Sequence, residues 1–360
     1  ALLNGSTNAD RTNYWEVVPS SAVDLALWME SDRMGYLLPA LTQERFETQR
    51  DVVLNERRQN YENRPYGFAL MAIAAAMFPN DHPYHWLTIG SASDINAMQL
   101  DEVHDFFRTY YHASNASLTL AGNIEAARGF ELAEQYFGEL PAGAKPQPLR
   151  PKATLEREVR LVLEDRVEMP RVYMTWHSPA MFAEDDAEMD LLADLLANGK
   201  TSRLYRTLVY EQRIALDVSA YQNSRELAGF FLLVATATPG RSLTEIASVI
   251  DTELQRVADE GPSVAEMERA RSQTEAHFMY RLQTVGGFGG KSDQLNAYNV
   301  FCGDPAFFAT DLARYQSATA DGVAGAARRH LGFDRRVVLS IVPRGQHSLA
   351  LPGSELVTVE

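Results

Sequence analysis

A single cysteine, Cys302, stands among 360 residues. It can close no internal disulfide, and no thiolate zinc cluster can be built from this chain alone. No run of about eighteen apolar residues occurs, so no helix of the chain is written to cross a membrane. Positive charge is scarce. The 33 Lys and Arg residues against 48 Asp and Glu leave a net charge of -15, which argues against nucleic acid or an anionic membrane surface as partner. Common catalytic signatures are missing too. There is no Gly-x-Ser-x-Gly elbow and no Gly-x-x-x-x-Gly-Lys phosphate loop, and Cys302 has no recognisable catalytic setting. The opening Ala1-Leu2-Leu3-Asn4-Gly5 has neither a starting Met nor the form of a signal peptide. It reads as mid-domain sequence, the expectation for a processed or truncated product.

What is present suits a folded protein of two domains. Hydrophobic residues make up 46% of the chain, enough for sizeable cores and too many for global disorder. The best linker is 141–152, where four prolines exclude regular helix or central strand. The stretches on either side run in similar order. Residues 42–56 and 263–277 both open on a helix-capping residue, and Phe46, Glu47 and Arg50 then match Met267, Glu268 and Arg271. In each half a later helix, starting at Asp94 or Asp311, leads to a strand, 117–121 or 336–342. Strands are also expected at 11–18, 158–163, 171–176 and 229–236, and helices from Ser20 through Met34 and over 185–198. Elements are grouped and do not strictly alternate. The expected fold class is therefore α+β: two similar domains, 1–140 and 153–360, each a mainly antiparallel sheet with helices packed on one face.

The stretch 46–58 is the most informative. Phe46, Gln49, Val53, Glu56 and Asn60 recur on one side at helical spacing, so Glu56 is expected to point into apolar surroundings. A carboxylate there must be neutralised, paired or bound to a metal. The plain alternative is a salt bridge to an Arg from elsewhere. Partners for a metal would be histidines: His82, His85, His104, His112, His177, His277, His330 or His347. Only His82 and His85 stand close together, and Pro83 keeps a helix from presenting both, so a structured loop is expected. Gly286-Gly287-Phe288-Gly289-Gly290 lacks the flanking strand and helix of a nucleotide fingerprint. It reads as a flexible loop, either touching an extended ligand or serving as a simple hinge.

Taken together, these residues resemble the pitrilysin/insulinase family of zinc peptidases, the inverzincins, over nearly the whole chain. Asn4-Gly5-Ser6-Thr7 followed by Thr12-Asn13-Tyr14 resembles the family's first strand pair. Glu30, Asp32 and Arg33 lie in a stretch like its next helix. Val52-Val53-Leu54-Asn55-Glu56 looks like the helix carrying the third zinc ligand, and His82-Pro83-Tyr84 with Gly90 matches its usual loop. The family's defining His-x-x-Glu-His, which supplies two ligands and the general base, occurs nowhere in these residues; the base is expected upstream of Ala1, and no catalytic residue within the chain. The resemblance implies the fold of the mitochondrial processing peptidase, with Zn2+ in the intact protein and Glu56 as a metal ligand. Gln49 would stand where many relatives carry a glutamate supporting that ligand. Asn4, Gly5 and Ser6 would bind substrate by pairing with its backbone.

It further implies an endopeptidase acting on peptides or unfolded segments, with a second homologous half, fused or separate, as in a dimer. The 360-residue chain alone is then expected to be inactive. A non-catalytic partner subunit and a peptide-binding scaffold of the same fold are the alternatives. An extracytoplasmic bacterial location is compatible with this family.

Overall fold

The structure is a computed structural model that describes residues 1–359. In chain order the elements are β1 (Leu2–Thr7), β2 (Thr12–Val17), α1 (Val23–Ala40), α2 (Gln43–Arg57), α3 (Ala69–Met77), α4 (Ala92–Ala97), α5 (Leu100–Tyr110) and α6 (Ala126–Phe137). There follow β3 (Val159–Asp165), β4 (Arg171–Ser178), α7 (Asp186–Ala197), β5 (Ala215–Asn223), β6 (Gly229–Ala237), α8 (Leu243–Glu260) and α9 (Val264–Gln283). The chain closes with α10 (Lys291–Cys302), α11 (Phe308–Ser317), α12 (Ala320–His330), β7 (Val337–Pro343) and β8 (Glu355–Leu356). The proline-rich stretch 141–152 carries no helix or strand.

Two compact units interleave along the chain. One comprises Ala1–Glu56, Gly90–Leu149 and Ala276–Thr310; the other comprises Arg57–Ile89, Arg150–Glu275 and Asp311–Glu360. The second holds a six-stranded sheet of order β5-β6-β4-β7-β3-β8. Pairings from β5 through β7 are antiparallel, whereas β3 runs parallel to β7 and β8. Side chains alternate across a strand, and β4 shows the result. Val172, Met174 and Trp176 enter a core built with α7, α8 and α12, while Tyr173 enters a separate cluster with Ala72, Ile73 and Met77 of α3. The main helical layer covers the first face and α3 covers the other. Helix α8 begins on a capping box: the Glu245 amide donates to Ser242 Oγ at 3.2 Å, and the Ser242 amide donates back to Glu245 at 2.9 Å.

The first unit contains the two-stranded sheet of β1 and β2. The strand expected at 117–121 is not formed. Alternation in Ser117-Leu118-Thr119-Leu120 suits a strand, but a strand also needs a neighbour to bond, and none pairs with it among the described residues. Its hydroxyls turn to α10 instead: Ser117 and Thr119 donate to Asn296 Oδ1 at 2.8 and 2.6 Å.

Candidate functional site

Within the first unit, β1 and β2 pair antiparallel, with Gly5 opposite Tyr14 and Ser6 opposite Asn13. At the turn the Asn8 amide donates to the Arg11 carbonyl at 3.0 Å. Bonded and non-bonded pairs alternate along an antiparallel ladder. Counting back from that bond, Leu2, Asn4 and Ser6 turn their backbones toward β2, and Leu3, Gly5 and Thr7 turn theirs toward the open edge. The Gly5 amide is held there by the Oδ1 of Asn4 at 2.8 Å. Ser6 is taken up inside the hairpin, where its amide and hydroxyl both donate to Asn13 Oδ1, at 3.1 and 2.7 Å.

Asn13 links this strand pair to the glycine-rich loop. Its Nδ2 donates to Asp293 of α10 at 2.9 Å, and the other oxygen of Asp293 accepts the Gly289 amide at 2.8 Å. Phe288 meets the Trp15 ring edge-on, with centroids 5.5 Å apart. A Cβ at Gly286 would lie 2.8 Å from a methyl of Val17. The loop is thus seated on the Asn13–Trp15–Val17 face of the hairpin, and the absence of a side chain at Gly286 permits the close approach.

The opposite face carries Gly5, Tyr14 and Glu16 and meets α1. Between them lies an open recess of about 380 Å³ lined by Leu3, Asn4, Gly5, Tyr14, Trp15, Glu16, Glu30 and Arg33. The Arg33 guanidinium lies 4.3 Å from the Tyr14 ring centroid and 3.2 Å from the Glu30 carboxylate. Burial raises the pKa of Glu30 above the ordinary carboxylate range; the hydrogen bond to the Glu16 carboxyl raises it further, against the opposing pull of Arg33. Burial likewise raises Tyr14, whose hydroxyl sits 3.1 Å from that of Tyr111.

The expected burial of Glu56 is corrected by the structure. On α2 the buried side chains are Phe46, Leu54 and Arg57, and both Glu56 and Gln49 are exposed. The inner face is centred between Phe46 and Leu54, and the 49–52–56 row lies to one side of it. The buried charge is the neighbouring Arg57, paired with Glu62. Among the described residues no three His, Cys, Asp or Glu side chains gather where they could hold a metal ion. One exposed carboxylate is not a zinc site, which takes at least three protein ligands. The residues present therefore do not fit a self-contained zinc centre.

The pair His82 and His85 does lie in a structured loop of the second unit, a short 3-10 turn over Pro83–His85. His82 Nδ1 accepts the Tyr84 amide at 3.0 Å, and His85 Nδ1 contacts the Phe78 carbonyl at 2.7 Å. Burial holds His82 below the usual imidazole range and His177, on β4, down to about 4. Both are neutral at neutral pH; His82 is buried and His177 half-buried. His277 is exposed on α9.

Sequence signals had pointed to Asn4, Gly5 and Ser6. They had not pointed to Glu16 as a recess residue, nor to Asp293, which lies 280 residues from its partner Asn13.

Comparison with known proteins gives a consistent picture. Residues 97–274 match the family described as the peptidase M16 inactive domain. A zinc protease of Helicobacter pylori, PqqE, is 27% identical over 292 residues, which is 80% of this chain and 65% of that protein. The chain thus spans less than two-thirds of that relative. A crystal structure of a protease from Helicobacter pylori superposes with a TM-score of 0.86 at 23% identity, covering 95% of this chain and 82% of the other. That of a peptidase M16 inactive domain from Pseudomonas fluorescens gives 0.81 at 16% identity, covering 95% and 81%. These two likenesses speak to the fold.

Proposed function

We propose, proceeding from the fact that this chain belongs to the M16 (pitrilysin/insulinase) peptidase family, that it is the peptide-holding part of a zinc-dependent endopeptidase acting on peptides or unfolded protein segments. The observation that carries this reading is the open edge of β1. Backbone groups of Leu3, Gly5 and Thr7 point outward from the hairpin, and Asn13 fastens the strand pair from behind. An extended peptide adds to such an edge as a further strand, and main-chain bonding of that kind tolerates many side chains.

Zinc chemistry in this proposal depends on ligands outside the described residues. Glu56 would contribute one carboxylate, with the Gln49 amide on the same exposed row. When bound, the metal would supply an activated water. The chain's own share is to hold and orient the peptide, and a second homologous half is the partner that would enclose it.

Leu3→Pro tests the edge. Proline is tolerated on an edge strand whose N–H faces outward, so the hairpin persists while one bond to the added strand is lost. Affinity for an extended peptide, read by calorimetry, should fall by about two- to tenfold, the worth of one net hydrogen bond. Unchanged affinity would contradict the proposal.

The match to an inactive-domain family favours one other reading: a non-catalytic subunit that presents peptide to an active partner. Chelator-sensitive cleavage by the protein that carries this chain supports the first reading. Peptide capture without cleavage supports the second.

A further inference from the structure

The recess between α1 and the hairpin stands beside the open edge of β1, and Gly5 is what joins the two. Cross-strand neighbours share a face of a sheet. A residue of an added strand opposite Gly5 therefore projects its side chain on the Tyr14 side, the side that meets α1. A Cβ at Gly5 would lie 3.0 Å from the Asn13 carbonyl oxygen and 3.2 Å from the Tyr14 ring. The Tyr14 ring therefore lies close over Gly5, and a peptide side chain opposite Gly5 meets that ring, which itself lines the recess.

The charges there are unequal. Glu16 and Glu30 face a single cation, Arg33. That guanidinium is already engaged with Glu30 and with the Tyr14 ring. Among the described residues no Lys, Arg or His forms an ion pair with Glu16. The two carboxyls share one recess, and close like charges are relieved either by a shared proton or by a cation. Leu3 and Tyr14 offer apolar wall for the methylenes of a long basic side chain, which keeps its charged head at the polar end.

We propose that this recess is a side-chain pocket, formed by Glu16, Glu30, Tyr14 and Leu3, that selects a lysine or arginine at the peptide position opposite Gly5. The inference rests on strand addition at β1 and adds the chemical class of substrate: extended segments carrying a basic residue at one register position. Arginine and lysine satisfy the same demand, a cation on a long apolar stem.

The test uses the full 360-residue chain and an uncharged, β-prone host peptide with one guest position occupied by Lys, Gln or Glu. Affinities are measured by calorimetry. The pocket predicts that the Lys peptide binds about tenfold more tightly than the Gln peptide, as a charge-assisted bond would give, and that the Glu peptide binds most weakly. In Glu30→Gln, and separately in Glu16→Gln, the ratio of Lys-peptide to Gln-peptide affinity should shrink toward one. The guest series on the unaltered chain decides the matter even where a variant folds poorly. Binding of all three guests with equal affinity overturns the pocket and leaves strand addition standing. A lysine preference that survives both substitutions also overturns the pocket. Failure of every guest peptide to bind overturns the pocket together with the reading of β1 on which it rests.

Discussion

Single residues carry much of the local order. Asn13 joins Ser6 of β1, Arg11 of the turn and Asp293 of α10 through one side-chain amide. Asn13→Ala strands those part-buried partners. It should loosen the hairpin by about 1–3 kcal/mol, the usual penalty for unsatisfied polar groups, seen as faster amide exchange across β1 and β2. A titrating residue lies in the second unit. Asp190 of α7 accepts the Tyr315 hydroxyl at 2.7 Å. Burial and the nearby Asp186 push its pKa up to about 7, with Asp194 adding to them and Arg314 opposing. The folded state thus holds a proton that an unfolded aspartate, near pH 4, would release. The stability this contributes is fully present below about pH 4 and is lost as pH rises through 7. Thermal midpoints should fall as pH rises from about 4 to 7, and Asp190→Asn should flatten that fall. Glu56 shows what residue-level reading misses. A helical repeat identifies a row, but which row faces inward depends on what packs against the helix, and here burial selects Phe46, Leu54 and Arg57.

At the scale of elements, the strands at the centre of the sheet were readable because their neighbours bury them. Residues 229–237 and 337–343 are near-continuous apolar runs, and both form central strands of the second unit. The stretch 117–121 reads as a strand on alternation alone, yet lacks the pairing that no local pattern can specify. Helix α3 was missed because Ala69–Met77 is apolar all round and shows no amphipathic period. The capped start at 263 was legible, and α9 begins beside it at Val264; the cap of α8 was not foreseen. Ser242→Ala should cost about 1 kcal/mol through loss of the α8 cap, measurable by denaturant unfolding.

For the whole molecule, the α+β class and the family were legible, because grouped strands and a set of spaced motifs survive without any knowledge of contacts. The recess beside β1 was not. It depends on bringing Glu16 of β2 beside Glu30 and Arg33 of α1 and on the absence of a side chain at Gly5. Metal binding is a property of the whole chain as well. With Glu56 exposed and no triad of ligands among the described residues, the 360-residue chain should purify with far less than one equivalent of zinc by elemental analysis.

The central claim, that β1 receives an extended peptide, is tested most directly by residue-resolved amide exchange with and without saturating peptide. The account predicts that the amides of Leu3 and Thr7 slow by about tenfold, near the upper end of what one net hydrogen bond confers, while those of Asn4 and Ser6, already turned toward β2, and of Gly5, already bonded to Asn4 Oδ1, change less. Saturation with no slowing at Leu3 and Thr7 would contradict it.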